Sequence, residues 1–201
     1  YFLIRFLFKE GFIKKTKLSV LRLMEEIHNS SFQYLNEVLN EVNKLVPIEI
    51  DTYLVKDKMS FRTSDTYKKE DYESTFLHLV TETTFEEDNM LFFTEKITKP
   101  ILGLQPFIVL SNPFYLKKLK EMGFKTYSSI IDESYDNEVD NEKRLQMIFN
   151  EITRISKLSL DDINKLYNSV KDICIYNREH LMSFAKENDI IRNLKEIENE
   201  W

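Results

Sequence analysis

Glycine is nearly absent from this chain, with 3 in 201 residues. Gly11, Gly103 and Gly123 lie far apart, so neither G-x-G-x-x-G nor G-x-x-x-x-G-K-[ST] can be drawn. A glycine-cradled dinucleotide site and a P-loop are excluded. So are collagen, flexible linkers and most low-complexity classes. Cysteine is rarer still. Cys174 stands alone, so no disulfide can close within the chain, and no Cys/His spacing suggests zinc. His28, His78 and His180 are too scattered to form a metal set. A single thiol fits a reducing compartment, and a cytoplasmic location is expected. No apolar run approaches the ~18 residues that mark a bilayer span. The opening stretch from Tyr1 to Phe8 is apolar but short and is interrupted by Arg5. It has no basic leader and no small-residue cleavage site, so it does not read as a signal peptide. The chain does not open on Met, and residues upstream are expected.

What is present fits a globular protein. Hydrophobic residues make up 42% and charged residues 31%. This length allows one domain or slightly more, with roughly 70% of the unfolded surface buried. Lys plus Arg is 28 against 34 Asp plus Glu, for a net charge of −6, which is no profile for a general nucleic-acid binder. The charge is uneven. Residues 1–24 hold Arg5, Lys9, Lys14, Lys15, Lys17 and Arg22 against Glu10 alone. Residues 132–142 hold six acids and no base before Lys143. Solvated surface is the plain explanation; a basic end facing a phosphate-bearing ligand is the sharper one.

Residues 1–10 suit a buried helix end or a strand closed by Gly11, and Leu18–Leu23 suits a strand. Phe32, Leu35, Val38, Leu39, Val42 and Leu45 predict a helix ended by Pro47. Residues 48–72 predict a strand piece and loop. From residue 76 to 127 the pattern alternates. A strand at Phe76–Val80 is followed by a helix opened by Thr94 and closed by Gly103. Next come a strand at Pro106–Leu110, a helix with Pro113 in its first turn and Gly123 at its end, and a third strand at Phe124–Tyr127. Such alternation predicts α/β architecture, a parallel sheet of about four to six strands flanked by helices. Leu145, Ile148, Phe149, Ile152 and Ile155 form one helical stripe, and Leu160, Ile163, Leu166, Tyr167 and Val170 begin another.

Ligands of open parallel sheets bind at the carboxyl ends of strands. The first strand would deliver Thr81, Glu82, Thr83 and Thr84 there, and the next helix Thr94, Glu95 and Lys96. A helix N-terminus has unpaired N–H groups and a partial positive charge, so it can hold phosphate without glycine. Lys96 and Lys99 would add charge. Glu95 can accept from two ribose hydroxyls, and Phe92 and Phe93 could stack on a base. The same residues also make an ordinary helix cap over core phenylalanines. Asp132, Glu133 and Asp136 could hold a metal through oxygens, but an exposed acidic turn fits them better, and no metal or cofactor is expected. Tyr115 and Tyr127 are expected as core or rim aromatics, and His78 as a satisfied core histidine. His180 has no partner that the sequence identifies.

These segments resemble a known family. They are FLHLVTE at 76–82, FFTEKITKPI at 92–101 and QPFIV at 105–109. Together they resemble the C-terminal, nucleotide-sugar-binding half of GT-B glycosyltransferases, most of all the alpha-1,3-fucosyltransferases. LKKLKEMGFKT at 116–126 and IDESYD at 131–136 are similar to uncharacterised, often viral or marine bacterial, proteins that share this half. The resemblance implies a single Rossmann-like nucleotide-sugar-binding domain over 1–158, with the motif region at 74–158, and a helical C-terminal extension over 159–201. It implies a nucleotide-diphospho-sugar donor, with Glu95 on the ribose, Lys96 on the diphosphate and Phe92 against the nucleotide. Glu82 would lie near the transferred sugar and is the candidate for a catalytic role; the donor-binding set is Glu82, Phe92, Thr94, Glu95, Lys96 and Lys99. Full GT-B enzymes carry acceptor binding on a second Rossmann-like domain. Two functions therefore stand side by side. One is a glycosyltransferase-like protein moving a sugar to a glycan or other acceptor. The other is a non-catalytic structural or interaction domain retaining the half-fold, with a partner domain or oligomer.

Overall fold

A computed structural model describes residues 2–16, 19–21, 49–51, 69–85, 91 and 93–187. The chain divides into two compact units, 1–61 and 62–201. In the first unit the apolar opening is a helix, α1 (Phe2–Lys9), followed by a 3-10 turn at Phe12–Lys15. Phe6 meets Phe12 edge-on, with ring centroids 6.1 Å apart. β1 (Ser19–Leu21) pairs in parallel with β2 (Glu49–Asp51), with Val20 opposite Ile50. The helix expected over 32–45 lies outside the described residues.

The second unit opens with α2 (Lys69–Glu73). β3 (His78–Thr81) and β4 (Phe107–Leu110) then form a two-stranded parallel sheet, with Leu79 opposite Ile108 and Val80 opposite Val109. The pairing runs on past Thr81, where the Glu82 N–H donates to the Leu110 carbonyl at 3.0 Å. All four residues of β4 are buried, as a continuous apolar run in a parallel sheet should be. Each such side chain taken out of water is worth roughly 1.5–3 kcal/mol. α3 (Glu95–Leu102) connects the two strands, and α4 (Tyr115–Glu121) follows β4. α5 (Asn141–Ser156) buries Ile148, Ile152 and Ile155 from the expected stripe. The long α6 (Leu160–Glu187) buries Val170, Cys174, Leu181 and Ala185 on one face and packs against α3. Leu160, at its start, is 78% exposed. No helix among the described residues is long and apolar enough to cross a membrane.

Gly103 caps α3 as expected, with φ −74°, and the left-handed residue beyond it is Leu104 at 53°. Gly103 is required by packing, because a Cβ there would lie 2.5 Å from the Tyr72 ring. Two expectations are corrected. Pro113 is not in the first turn of α4; it precedes the capping residue, Phe114.

The second correction concerns Phe124–Tyr127, which is not a strand. Its backbone finds side chains instead. Asn177 on α6, 0% exposed, accepts from the Lys125 N–H and donates to the Lys125 carbonyl, both at 2.8 Å. Glu133 takes the Tyr127 N–H at 2.6 Å. The outer edge of β4 is met the same way, its Val109 N–H donating to the Tyr135 hydroxyl at 3.4 Å. Side chains thus occupy positions where a neighbouring strand would pair. Among the described residues this sheet has two strands, where four to six were expected.

Candidate functional site at the carboxyl edge of the sheet

β3 runs directly into Glu82, which is 9% exposed. Its Oε1 accepts from the Tyr115 hydroxyl at 2.8 Å and the Thr94 N–H at 3.3 Å, and its Oε2 accepts from the Thr94 hydroxyl at 2.7 Å. The Thr94 oxygen in turn accepts the Lys96 N–H at 3.3 Å and caps α3. Thr94 is extended, at φ −108° and ψ 176°, as an N-cap should be. Burial first, then the Glu82 charge, push the Tyr115 phenol far above its ordinary ionisation, so it stays protonated and donates. Phe93 stacks on Tyr115, with centroids 4.4 Å apart. One carboxylate therefore holds the starts of α3 and α4 together.

Of the residues expected here, Thr94, Glu95 and Lys96 come together at this edge. Glu95 is exposed in the first turn and Lys96 is half-buried. Lys99 does not join them. It lies one turn further along α3, and its charge acts on His78 at the amino end of β3. Phe92 lies outside the described residues. Thr81 and Thr83 are exposed. The hydroxyls of Thr84 and Ser111, just past the ends of β3 and β4, are buried with no hydrogen-bond partner among the described residues. Such groups cost about 1–3 kcal/mol each.

Three further residues at this edge have roles there that the sequence reading did not assign. Arg144 on α5 is 1% exposed beneath the end of β4. Its guanidinium donates to the carbonyls of Ser111 at 3.2 Å, Glu138 at 2.9 Å and Val139 at 3.3 Å, and to the Asn141 side chain. The Phe85 ring lies 4.4 Å from its central carbon. Its one sequence signal is its place four residues before Ile148 on the buried face of α5. Phe114, the N-cap of α4, has φ 67° and ψ 15° and makes no side-chain cap bond. Asp136 supplies the cap from 20 residues away, taking the Leu116 N–H at 2.8 Å and the Lys117 N–H at 2.9 Å. Its carbonyl takes the Phe114 N–H at 2.6 Å.

The expected exposed acidic turn is therefore corrected in part. Asp132 is exposed, but Asp136 is only 6% exposed and works as a helix cap. Burial pushes its carboxyl up, although the two N–H groups pull the other way. Glu133 accepts from Tyr127, from the Thr126 hydroxyl at 2.7 Å and from Lys120 at 3.2 Å. Among the described residues no group of three or more acidic, His or Cys side chains could hold a metal ion. Beside this turn lies a groove of about 480 Å³ lined by Lys117, Lys120, Glu121, Glu133, Asp136 and Asn137.

The remaining titratable groups serve packing. His78 stacks on Tyr72, and burial followed by the Lys99 charge lowers its pKa to about 4, so it is neutral. Tyr115 and Tyr127 are buried. His180 has partners that the sequence did not suggest: a ring nitrogen 2.8 Å from the Met122 carbonyl, and the Phe124 ring. Cys174 is buried, which pushes its thiol up to about 11 and leaves it unreactive. In comparisons with family models, with curated proteins and with solved structures, nothing matches this chain.

Proposed function

We propose that the second unit is a Rossmann-like half-fold of the GT-B type, and that the chain is a glycosyltransferase-like protein working in the cytoplasm. It binds a nucleotide-diphospho-sugar at the carboxyl edge and passes the sugar to a glycan or other acceptor. One observation carries the reading: the β3–α3–β4 unit brings Thr94, Glu95 and Lys96 to that edge, with Glu95 exposed. Glu95 takes the ribose hydroxyls. Lys96 and the first-turn N–H groups of α3 take the diphosphate. In transfer, the bond from the anomeric carbon to the diphosphate oxygen breaks as the acceptor oxygen bonds that carbon. The diphosphate leaves with the electron pair, the acceptor hydroxyl gives up its proton to water, and the same positive groups stabilise the leaving diphosphate without a metal. Glu82, both of whose oxygens are engaged by Thr94 and Tyr115, is a positioning residue in this scheme.

Calorimetric titration with GDP, UDP and their sugars tests the reading. Glu95→Ala should weaken nucleotide binding at least tenfold while the melting temperature stays nearly constant, as expected for an exposed side chain. Absence of binding by any nucleotide at millimolar concentration would sink it. The same engagement of Glu82 favours a second reading, a non-catalytic structural or interaction domain in which Glu82 is only a brace. A stability loss in Glu95→Ala with unchanged binding would support that one.

A further inference from the structure

We propose that the outer edge of β3 is a self-association surface, on which a second copy of this chain lays its own β3 antiparallel across a twofold axis. The inference is independent of the donor site.

The ladder to β4 fixes which backbone groups face outward. The His78 N–H donates to the Pro106 carbonyl and the Glu82 N–H to the Leu110 carbonyl, both at 3.0 Å, so residues 78, 80 and 82 turn toward β4. By the alternation of a strand, Leu79 and Thr81 turn their N–H and carbonyl groups the other way. Among the described residues nothing pairs with them there. Thr81 is exposed and Leu79 is half-buried. The rest of this unit treats such backbone differently. The Tyr135 hydroxyl takes the Val109 N–H on the far side of β4, and Asn177 takes both backbone groups of Lys125. Among the described residues no side chain does this for β3.

The composition of the edge selects the occupant. Edges that stay single are guarded by Lys, Pro, a bulge or a cover. The run from Phe76 to Thr81 has no Pro, no acid, no Lys and no Arg, and His78 is neutral. Charge therefore offers nothing by which to choose a foreign strand. A copy of the same edge fits it. Centred on Leu79, an antiparallel pairing sets Leu79 against its counterpart and Leu77 against Thr81, with no charge facing a charge. Each copy carries a net charge of −6, so two copies approach at least cost along an uncharged strand. The twofold contact is the commonest form of self-association. It joins two sheets of two strands into one of four, a usual size.

The test is sedimentation equilibrium of the full chain over a concentration series, with amide exchange on the same samples. The mass should rise from 24.2 kDa toward twice that value. The Leu79 and Thr81 amides should exchange freely when dilute and become protected as the mass rises. Thr81→Pro removes an outward N–H without touching the ladder to β4, and it enters the contact twice. It should weaken association about 10- to 100-fold. Thr81→Lys, at an exposed position, supplies the missing guard and should weaken association with little change in melting temperature. It decides the matter if the proline variant fails to fold. A single-chain mass at millimolar concentration overturns the proposal. So does association of Thr81→Lys equal to that of wild type, which would place the contact elsewhere. Protection of both amides at single-chain mass also overturns it, because another part of the same chain would then cover the edge.

Discussion

The two helices that begin at the carboxyl edge are started in opposite ways. α3 is capped from its own sequence: Thr94 is extended and its hydroxyl takes the Lys96 N–H. α4 begins on a left-handed phenylalanine with no side-chain cap and borrows the Asp136 carboxylate from 20 residues downstream. A local cap can form as soon as its own turn does. A borrowed cap exists only once the 3-10 turn at Glu133–Asn137 has docked, so the start of α4 belongs to the tertiary fold. Glu82 then joins both starts, which makes the geometry of the edge depend on the slower of the two.

The largest expected effect is at the borrowed cap. Asp136→Ala removes the acceptor of two helix N–H groups in a buried setting, and urea unfolding should report a loss of about 2–4 kcal/mol. A loss below half a kcal/mol would mean that α4 does not need Asp136. Thr94→Ala should cost less, about 1–2 kcal/mol, with Thr94→Ser restoring most of it. If it costs more than Asp136→Ala, the contrast between the two starts is reversed. The smallest effect is in pH. Burial raises the folded pKa of Asp136 above its unfolded value. Between those two values the native chain keeps a proton that the unfolded chain has released, so stability falls as pH rises. Asp136→Asn lacks this term. The stability of wild type minus that of Asp136→Asn should therefore decrease as pH rises through the range in which the carboxyl ionises, and an increase would contradict the assigned direction.

The same contrast governs what could be read from the residues alone. The start of α3 was legible because Thr94, Glu95 and Lys96 act on neighbours within one turn. β4 was legible because burial of all four of its residues leaves an unbroken apolar run, and β3 from its apolar stretch, although only Val80 in it is fully buried. Phe124–Tyr127 carries a similar signature and was misjudged, since the partner of its backbone is a side-chain amide 52 residues later. Gly103 was legible as the end of α3, but the Tyr72 ring from α2 that keeps it small was not. At the candidate site, the engagement of Glu82 by Tyr115 spans 33 residues, and neither period nor spacing carries that information. Arg144 and Asp136 were hidden for the same reason, as charged residues whose burial is set by distant carbonyls and N–H groups.

Asn177 also sets an order of events on the ribosome. Residues 124–127 emerge well before α6, and until Asn177 arrives the Lys125 N–H and carbonyl lack their side-chain partner. Truncation before α6 should therefore leave this segment less well held, and limited proteolysis should cut there first in the shortened chain.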